Sequence, residues 1–182
     1  NAATKPGAMS IVGGYADLSK DLNETGESWD PFLTVTRELE EESGVAPNEL
    51  SDLSALGIIH NKTVNNPTFI FHGTSTLTSE EIRQKHKSRT TLSDDEVKLR
   101  FIPNSKDEIE HAVLWWAFSP SSSGAGALAL YGKEKFGEEW FEKIQKRLAY
   151  REKRLYGKLG DLPEDQVDKF EKRATERLLR QK

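Results

Sequence analysis

The stretch Thr36-Arg37-Glu38-Leu39-Glu40-Glu41-Glu42-Ser43-Gly44-Val45 decides how the chain is read. It sets a run of carboxylates on good helix formers and closes it with a glycine. Just upstream, Asp30-Pro31 has the chemistry of a helix start. The Asp side chain can cap the first free amides, and Pro at the first helical position loses only an N–H that has no helical partner. Gly44 suits the left-handed residue that ends a helix. Together they predict a helix of about three and a half turns.

Glu38, Glu41 and Glu42 stand at i, i+3 and i+4 and so share one face of that helix. Phe32, Val35 and Leu39 form an apolar stripe beside the face, whereas Glu40 points away. The three carboxylates therefore border the buried side. Their mutual repulsion costs about a few tenths of a kcal/mol per pair in water, and more beside a core. A hard divalent cation would turn that repulsion into binding, and carboxylate oxygens suit Mg²⁺ or Mn²⁺. A solvated Glu-rich helix is the plainer reading. The clustering on one face, the preceding Arg37 and the glycine stop favour the ion.

The same residues carry a resemblance. Arg37 to Val45 is similar at every fixed position to the REUxEExGU half of the Nudix hydrolase signature, where U is a bulky aliphatic residue. Gly13-Gly14 and Glu24-Thr25-Gly26-Glu27-Ser28 resemble its GG…ExGES half with wider spacing. The family places five residues between Gly and Glu and seven before Arg; here the intervals 15–26 and 28–36 are both longer. The resemblance implies a Nudix domain with an expanded loop, of class α+β or α/β, built as an α/β/α sandwich around a mixed sheet. It further implies that Glu38, Glu41, Glu42 and the backbone carbonyl at or beside Gly14 hold Mg²⁺ (alternatively Mn²⁺). Arg37 then supports the site, and Glu27 pairs with Arg37 to position the carboxylate face.

The activity so implied is attack of water on a phosphorus of a nucleoside diphosphate linked to another moiety X. The metal would neutralise the diphosphate, polarise a phosphoryl oxygen and activate or orient the water. The general base is one of the three glutamates or a later carboxylate, Glu96; spacing does not separate a base from a metal ligand. Leu56-Gly57-Ile58-Ile59, Leu77-Thr78-Ser79-Glu80-Glu81-Ile82, Ser119-Pro120 and Ala127 to Gly132 resemble, more diffusely, the UDP-glucose/UDP-galactose hydrolase subgroup. That would make the products UMP and a sugar 1-phosphate. Two other readings stand beside it. One is a hydrolase of ADP-ribose, dinucleoside polyphosphates or an oxidised nucleotide. The other is a catalytically inactive Nudix-fold binding or scaffold module in a larger assembly, which the intact carboxylate set opposes.

Composition narrows the classes. The chain has 182 residues, 35% hydrophobic and 31% charged, and no cysteine. Disulfides, thiol catalysis and cysteine-held zinc or iron–sulfur centres are therefore excluded. A net charge of −4 and a pI near 5.7 argue against a nucleic-acid-coating surface. No apolar run approaches the roughly 20 residues that span a bilayer. The expected partner is a nucleotide-type small molecule, and the expected compartment is the cytoplasm.

Outside the glutamate helix, a short strand is expected over Met9–Val12 and an acidic loop over Tyr15–Trp29, in which Asp17 is a solvated loop residue or an extra ligand. A hairpin follows, with strands at Leu53–His60 and Thr68–Thr76 and with Phe69 and Phe71 on one side, which either faces the core, the favoured reading, or stacks on a base. A capped helix should start at Thr78 and run to about Lys87. Beyond it come a strand at Val97–Ile102, a helix opened by Ser105, and a helix over Gly124–Ile144 broken near Gly132 or Gly137. The domain is expected to span 1–146. A helical extension over 147–182, broken at Gly160-Asp161-Leu162-Pro163, is either a solvated helical hairpin docked on the domain or a contact for a partner or second subunit. The chain does not begin with Met, and Gly13-Gly14 arrive where Nudix domains have already laid down strands. The expectation is a fragment, or a chain that has lost its N-terminal segment and strands.

Overall fold

The computed structural model of the protein describes residues 11–61, 66–88, 99–117 and 122–156. It is a mixed α and β protein, with five α helices and a two-stranded antiparallel sheet among the described residues. The described residues form two compact units, residues 11–103 and a helical unit over residues 104–156.

The first unit is built on α1 (Pro31–Ser43). The Asp30 side chain accepts a 2.8 Å hydrogen bond from the Phe32 amide, and Pro31 occupies the first turn. Gly44 ends the helix at φ 81°, the left-handed conformation that a Cβ disfavours. A 3₁₀ turn at Pro47–Glu49 leads into β1 (Leu50–Asn61), which pairs antiparallel with β2 (Asn66–Ser75). The register sets Ile58 opposite Phe69 and Ala55 opposite Phe71, with irregularities between Leu50 and Asp52 and between Ala55 and Gly57. α2 (Ser79–Lys87) opens on a reciprocal cap. The Glu81 amide donates to the Thr78 hydroxyl, and the Glu81 carboxylate accepts from the Thr78 amide. α2 is tied back by the Lys85–Glu49 ion pair at 2.7 Å and by buried His86, whose Nδ1 lies 2.9 Å from the Glu42 carbonyl.

Three expectations change in this unit. The core residue of β2 is Ile70, 2% exposed. Phe69 and Phe71 lie on the other side of the strand and meet Trp29 and Phe32 edge-on, at 5.3 and 5.1 Å between ring centroids. Their face is thus covered by Trp29 of the loop before α1 and by Phe32 of the first turn of α1, and Phe69 stays 44% exposed. Of the strands expected at Met9–Val12 and Val97–Ile102, Ile11, Val12 and Leu99–Ile102 are not in a strand, and the other residues lie outside the described ones. The sheet described is antiparallel, without the parallel pairing a mixed sheet requires.

The second unit is three helices, α3 (Lys106–Trp116), α4 (Ser122–Phe136) and α5 (Glu138–Tyr156). The Ser105 hydroxyl caps α3 by accepting from the Glu108 amide. Ile109, Ala112, Val113 and Trp116 recur at i, i+3, i+4 and i+7 and bury one stripe. Small residues of α4, Ala125, Ala127 and Ala129, are buried too, as are Trp140 and Ile144 of α5. The expected break falls at Gly137, φ 89°, while Gly132 stays inside α4. α5 then runs uninterrupted through residue 146, where a domain boundary was expected. It is held to α3 by Arg147 and Lys143 on Glu110 and by a 2.7 Å bond from Arg151 to the Leu114 carbonyl. The expected helices beyond residue 156 lie outside the described residues. Among those described, no helix is long and apolar enough to cross a membrane.

Candidate active site

The site begins with a small hairpin turn in the loop before α1. Asn23 organises it: its amide donates to the Ser28 carbonyl, and its side-chain oxygen accepts from the Glu27 and Ser28 amides. Leu22 then bridges to Trp29, and the Asp30 amide donates to the Asp21 carbonyl at 2.8 Å. The extra residues of the loop are spent on this turn. Its base, Asp21, is set against α1, and its tip carries Glu27 into solvent.

That geometry corrects one assignment. Arg37 is not paired with Glu27. Its Nε donates to Asp21 Oδ1 and its Nη2 to Asp21 Oδ2, both at 2.9 Å, in a bidentate pair with a carboxylate that is 1% exposed. The Asp21 oxygens also accept from the Thr34 hydroxyl and the Asp17 amide, each at 2.8 Å, and Thr34 in turn accepts from the Trp29 indole. The Arg37 guanidinium holds the Asp21 carboxyl well below the usual carboxylate range against the opposing effect of burial, with the Asp17 amide and Thr34 helping. Arg37 is raised further above its ordinary value, first by its bonds to Asp21 and then by Glu38. Asp21 was legible only as one more acid of an acidic loop. The available signal was Asn23 and Gly26, turn residues that fold the segment back to Asp30.

The remaining guanidinium donors reach the glutamate face. Nη1 donates to Glu38 at 2.7 Å and to Glu41 at 3.2 Å, and Nη2 also donates to the Tyr15 carbonyl at 3.1 Å. Glu42 accepts from the Gly13 amide at 3.0 Å. A Cβ built on Gly14 would overlap the Glu38 carboxylate, so only glycine leaves room for that approach. Glu38, Glu41, Glu42 and Arg37 thus gather on the side of α1 that meets Gly13, Gly14 and Tyr15. Glu40 is exposed. Burial within the set is uneven: the Glu38 side chain is 14% exposed and that of Glu41 53%. Asp17 bonds Ser19 and pairs with Lys20, as a loop acid does. Glu96 lies outside the described residues.

The donors are oxygens throughout, the type a hard cation takes. The contact of Glu38 with Gly14 brings the helix to the backbone that the resemblance names as a ligand. As arranged, Arg37 draws Glu38 and Glu41 and Gly13 draws Glu42, and no three carboxylate or imidazole groups among the described residues are set to hold one ion. The donor set thus has the chemistry a hard cation takes, while its carboxylates are engaged by Arg37 and the Gly13 amide and are not converged on one ion. No protein-family model, curated protein or solved structure matches the chain.

Proposed function

We propose that the protein is a Nudix-type hydrolase that cleaves the pyrophosphate bond of a nucleoside diphosphate linked to X, with a UDP-sugar, giving UMP and sugar 1-phosphate, as the first candidate. One observation carries the proposal: the Glu38 carboxylate sits against Gly14, so the two halves of the signature-like sequence meet despite the widened spacing. Glu38, Glu41, Glu42 and the Gly14 carbonyl would hold Mg²⁺, which supplies charge neutralisation and Lewis acidity at the phosphate.

The chain's own residues do the positioning. Arg37 holds Glu38 and Glu41 on one side of α1 through Nη1. Gly13 orients Glu42. The base that takes a proton from water is one of these glutamates or Glu96. A second reading, a non-catalytic Nudix-fold binding module, draws support from the way Arg37 already neutralises Glu38 and Glu41. The experiment is a panel of UDP-glucose, UDP-galactose, ADP-ribose and dinucleoside polyphosphates, with and without Mg²⁺, and calorimetry with Mg²⁺ alone. Release of UMP and sugar 1-phosphate only with Mg²⁺ supports the hydrolase. No hydrolysis of any compound and no Mg²⁺ binding favours the binding module.

A further inference from the structure

We propose that Asp21 is the positioning residue of this site, taking through Arg37 the part that the signature-like sequence would give to Glu27; the catalytic side of this inference rests on the hydrolase reading. Asp21 needs no contact with substrate to act. It uses both of its oxygens on Arg37, Nε and Nη2, and that pair fixes the plane of the guanidinium. Nη1 is then left pointing along α1 at Glu38 and Glu41. The anchoring is one chain of bonds that passes through the buried Asp21. Trp29 donates to Thr34, Thr34 to Asp21, Arg37 to Asp21, and Arg37 to the two glutamates.

Each link has a reason in the chain. Thr34 and Arg37 are one turn apart on α1 and face the same way. The Asn23 turn returns the loop so that Asp21 meets both. Trp29, packed edge-on against Phe69, holds the far end of the chain of bonds. Glu27 has none of this support: it is at the exposed tip of the turn. A lysine could not replace Arg37, because a single ammonium cannot serve Asp21 bidentately and reach Glu38 and Glu41 as well.

The experiment compares Asp21→Asn, Glu27→Gln and Arg37→Lys by two readouts. The first is the Arg37 Nε–Hε signal in ¹⁵N NMR, identified by its loss in Arg37→Lys. It should be slowly exchanging in the wild type and in Glu27→Gln, and lost to exchange in Asp21→Asn. The second is steady-state hydrolysis of the substrate found in the Mg²⁺ panel. Asp21→Asn should lower kcat by roughly 10- to 100-fold, the usual cost of an outer partner of metal-binding residues, with KM little changed. Glu27→Gln should match the wild type. Asp21→Glu should recover part of the loss, and Asp21→Asn added to Arg37→Lys should cost no further activity.

If Asp21→Asn does not fold, Thr34→Val removes one bond to Asp21 and leaves the ion pair. It should speed exchange at Arg37 Nε and cost about five-fold in kcat. If the wild type hydrolyses nothing in the panel, the hydrolase reading fails, and the NMR comparison alone still decides the role of Asp21. The proposal is overturned if the Arg37 signal survives in Asp21→Asn, if it disappears in Glu27→Gln, if Glu27→Gln loses as much activity as Asp21→Asn, or if Thr34→Val changes neither readout.

Discussion

Arg37 and Asp21, 16 residues apart in the chain, meet through two parallel hydrogen bonds of 2.9 Å, and the carboxylate between them is 1% exposed. This pair joins the loop to the glutamate helix. A buried charge is tolerated only when it is paired and its remaining lone pairs are used. Asp21 meets that condition with Arg37, Thr34 and the Asp17 amide.

The first prediction concerns acid stability. The folded-state pKa of Asp21 is depressed from 3.8, chiefly by its bonds to Arg37. Its contribution is therefore fully present above the unfolded value and is lost as pH falls below that value toward the folded one. Asp21→Asn removes this term and leaves Arg37 facing a neutral partner. At neutral pH it should cost about 3 kcal/mol, the lower end for breaking a buried pair, because Glu38 and Glu41 still engage Arg37. Urea denaturation at about pH 7 and about pH 3.5 checks both parts. An acid loss in Asp21→Asn as large as in the wild type would contradict the assignment.

A second prediction isolates the close approach at Gly14. Gly14→Ala would place a methyl group on the Glu38 carboxylate, which must then move away from Arg37. That carboxylate is the far end of a flexible side chain on α1, and Gly14 itself lies on an exposed loop. Stability should therefore change by no more than about 0.5 kcal/mol. Mg²⁺-dependent activity should fall by roughly 10- to 100-fold. Equal activity in the variant would show that the contact has no role.

How far the sequence carries is clear from these residues. α1 was legible from Asp30 to Gly44 because its cap, its proline and its stop are local chemistry. The Thr78–Glu81 cap, the hairpin and a helix break at Gly132 or Gly137 were legible for the same reason, and the break falls at Gly137. The partner of Arg37 was not. Which loop acid reaches it depends on how the turn at Asn23 folds, and one residue of register in that turn would present a different side chain. The side of β2 that forms the core also escaped, because Phe69, Ile70 and Phe71 are all apolar and alternation cannot rank them. Ile70 is buried, and the two rings go to Trp29 and Phe32.

A third prediction tests the cap of α2. The Thr78 hydroxyl and the Glu81 carboxylate satisfy each other's backbone amides at the start of that helix. Thr78→Ala should destabilise by about 1 kcal/mol. Adding Glu81→Ala should cost less than the sum of the single variants, because the two bonds form one motif. Chemical denaturation of the three variants measures the coupling; strict additivity would contradict the reciprocal cap.

The helical unit offers a fourth. Ile144 is fully buried on α5. Ile144→Ala should destabilise by about 2–5 kcal/mol through lost transfer energy and the cavity left behind. Glu142→Ala, two residues away on the exposed side, should change stability by no more than about 0.5 kcal/mol. Thermal denaturation of both variants checks the pair, and a silent Ile144→Ala would mean that α5 is not packed through this residue.

The central claim is that Glu38, Glu41 and Glu42, and not Glu40, form a divalent-cation site. Binding of Mn²⁺, followed by electron paramagnetic resonance in the wild type and in the four single Glu→Gln variants, tests it most directly. The account predicts saturable binding to the wild type and to Glu40→Gln, weakened by roughly 10-fold or more in each of the other three. Absence of binding to the wild type, or a Glu40→Gln loss equal to that of Glu38→Gln, would contradict it.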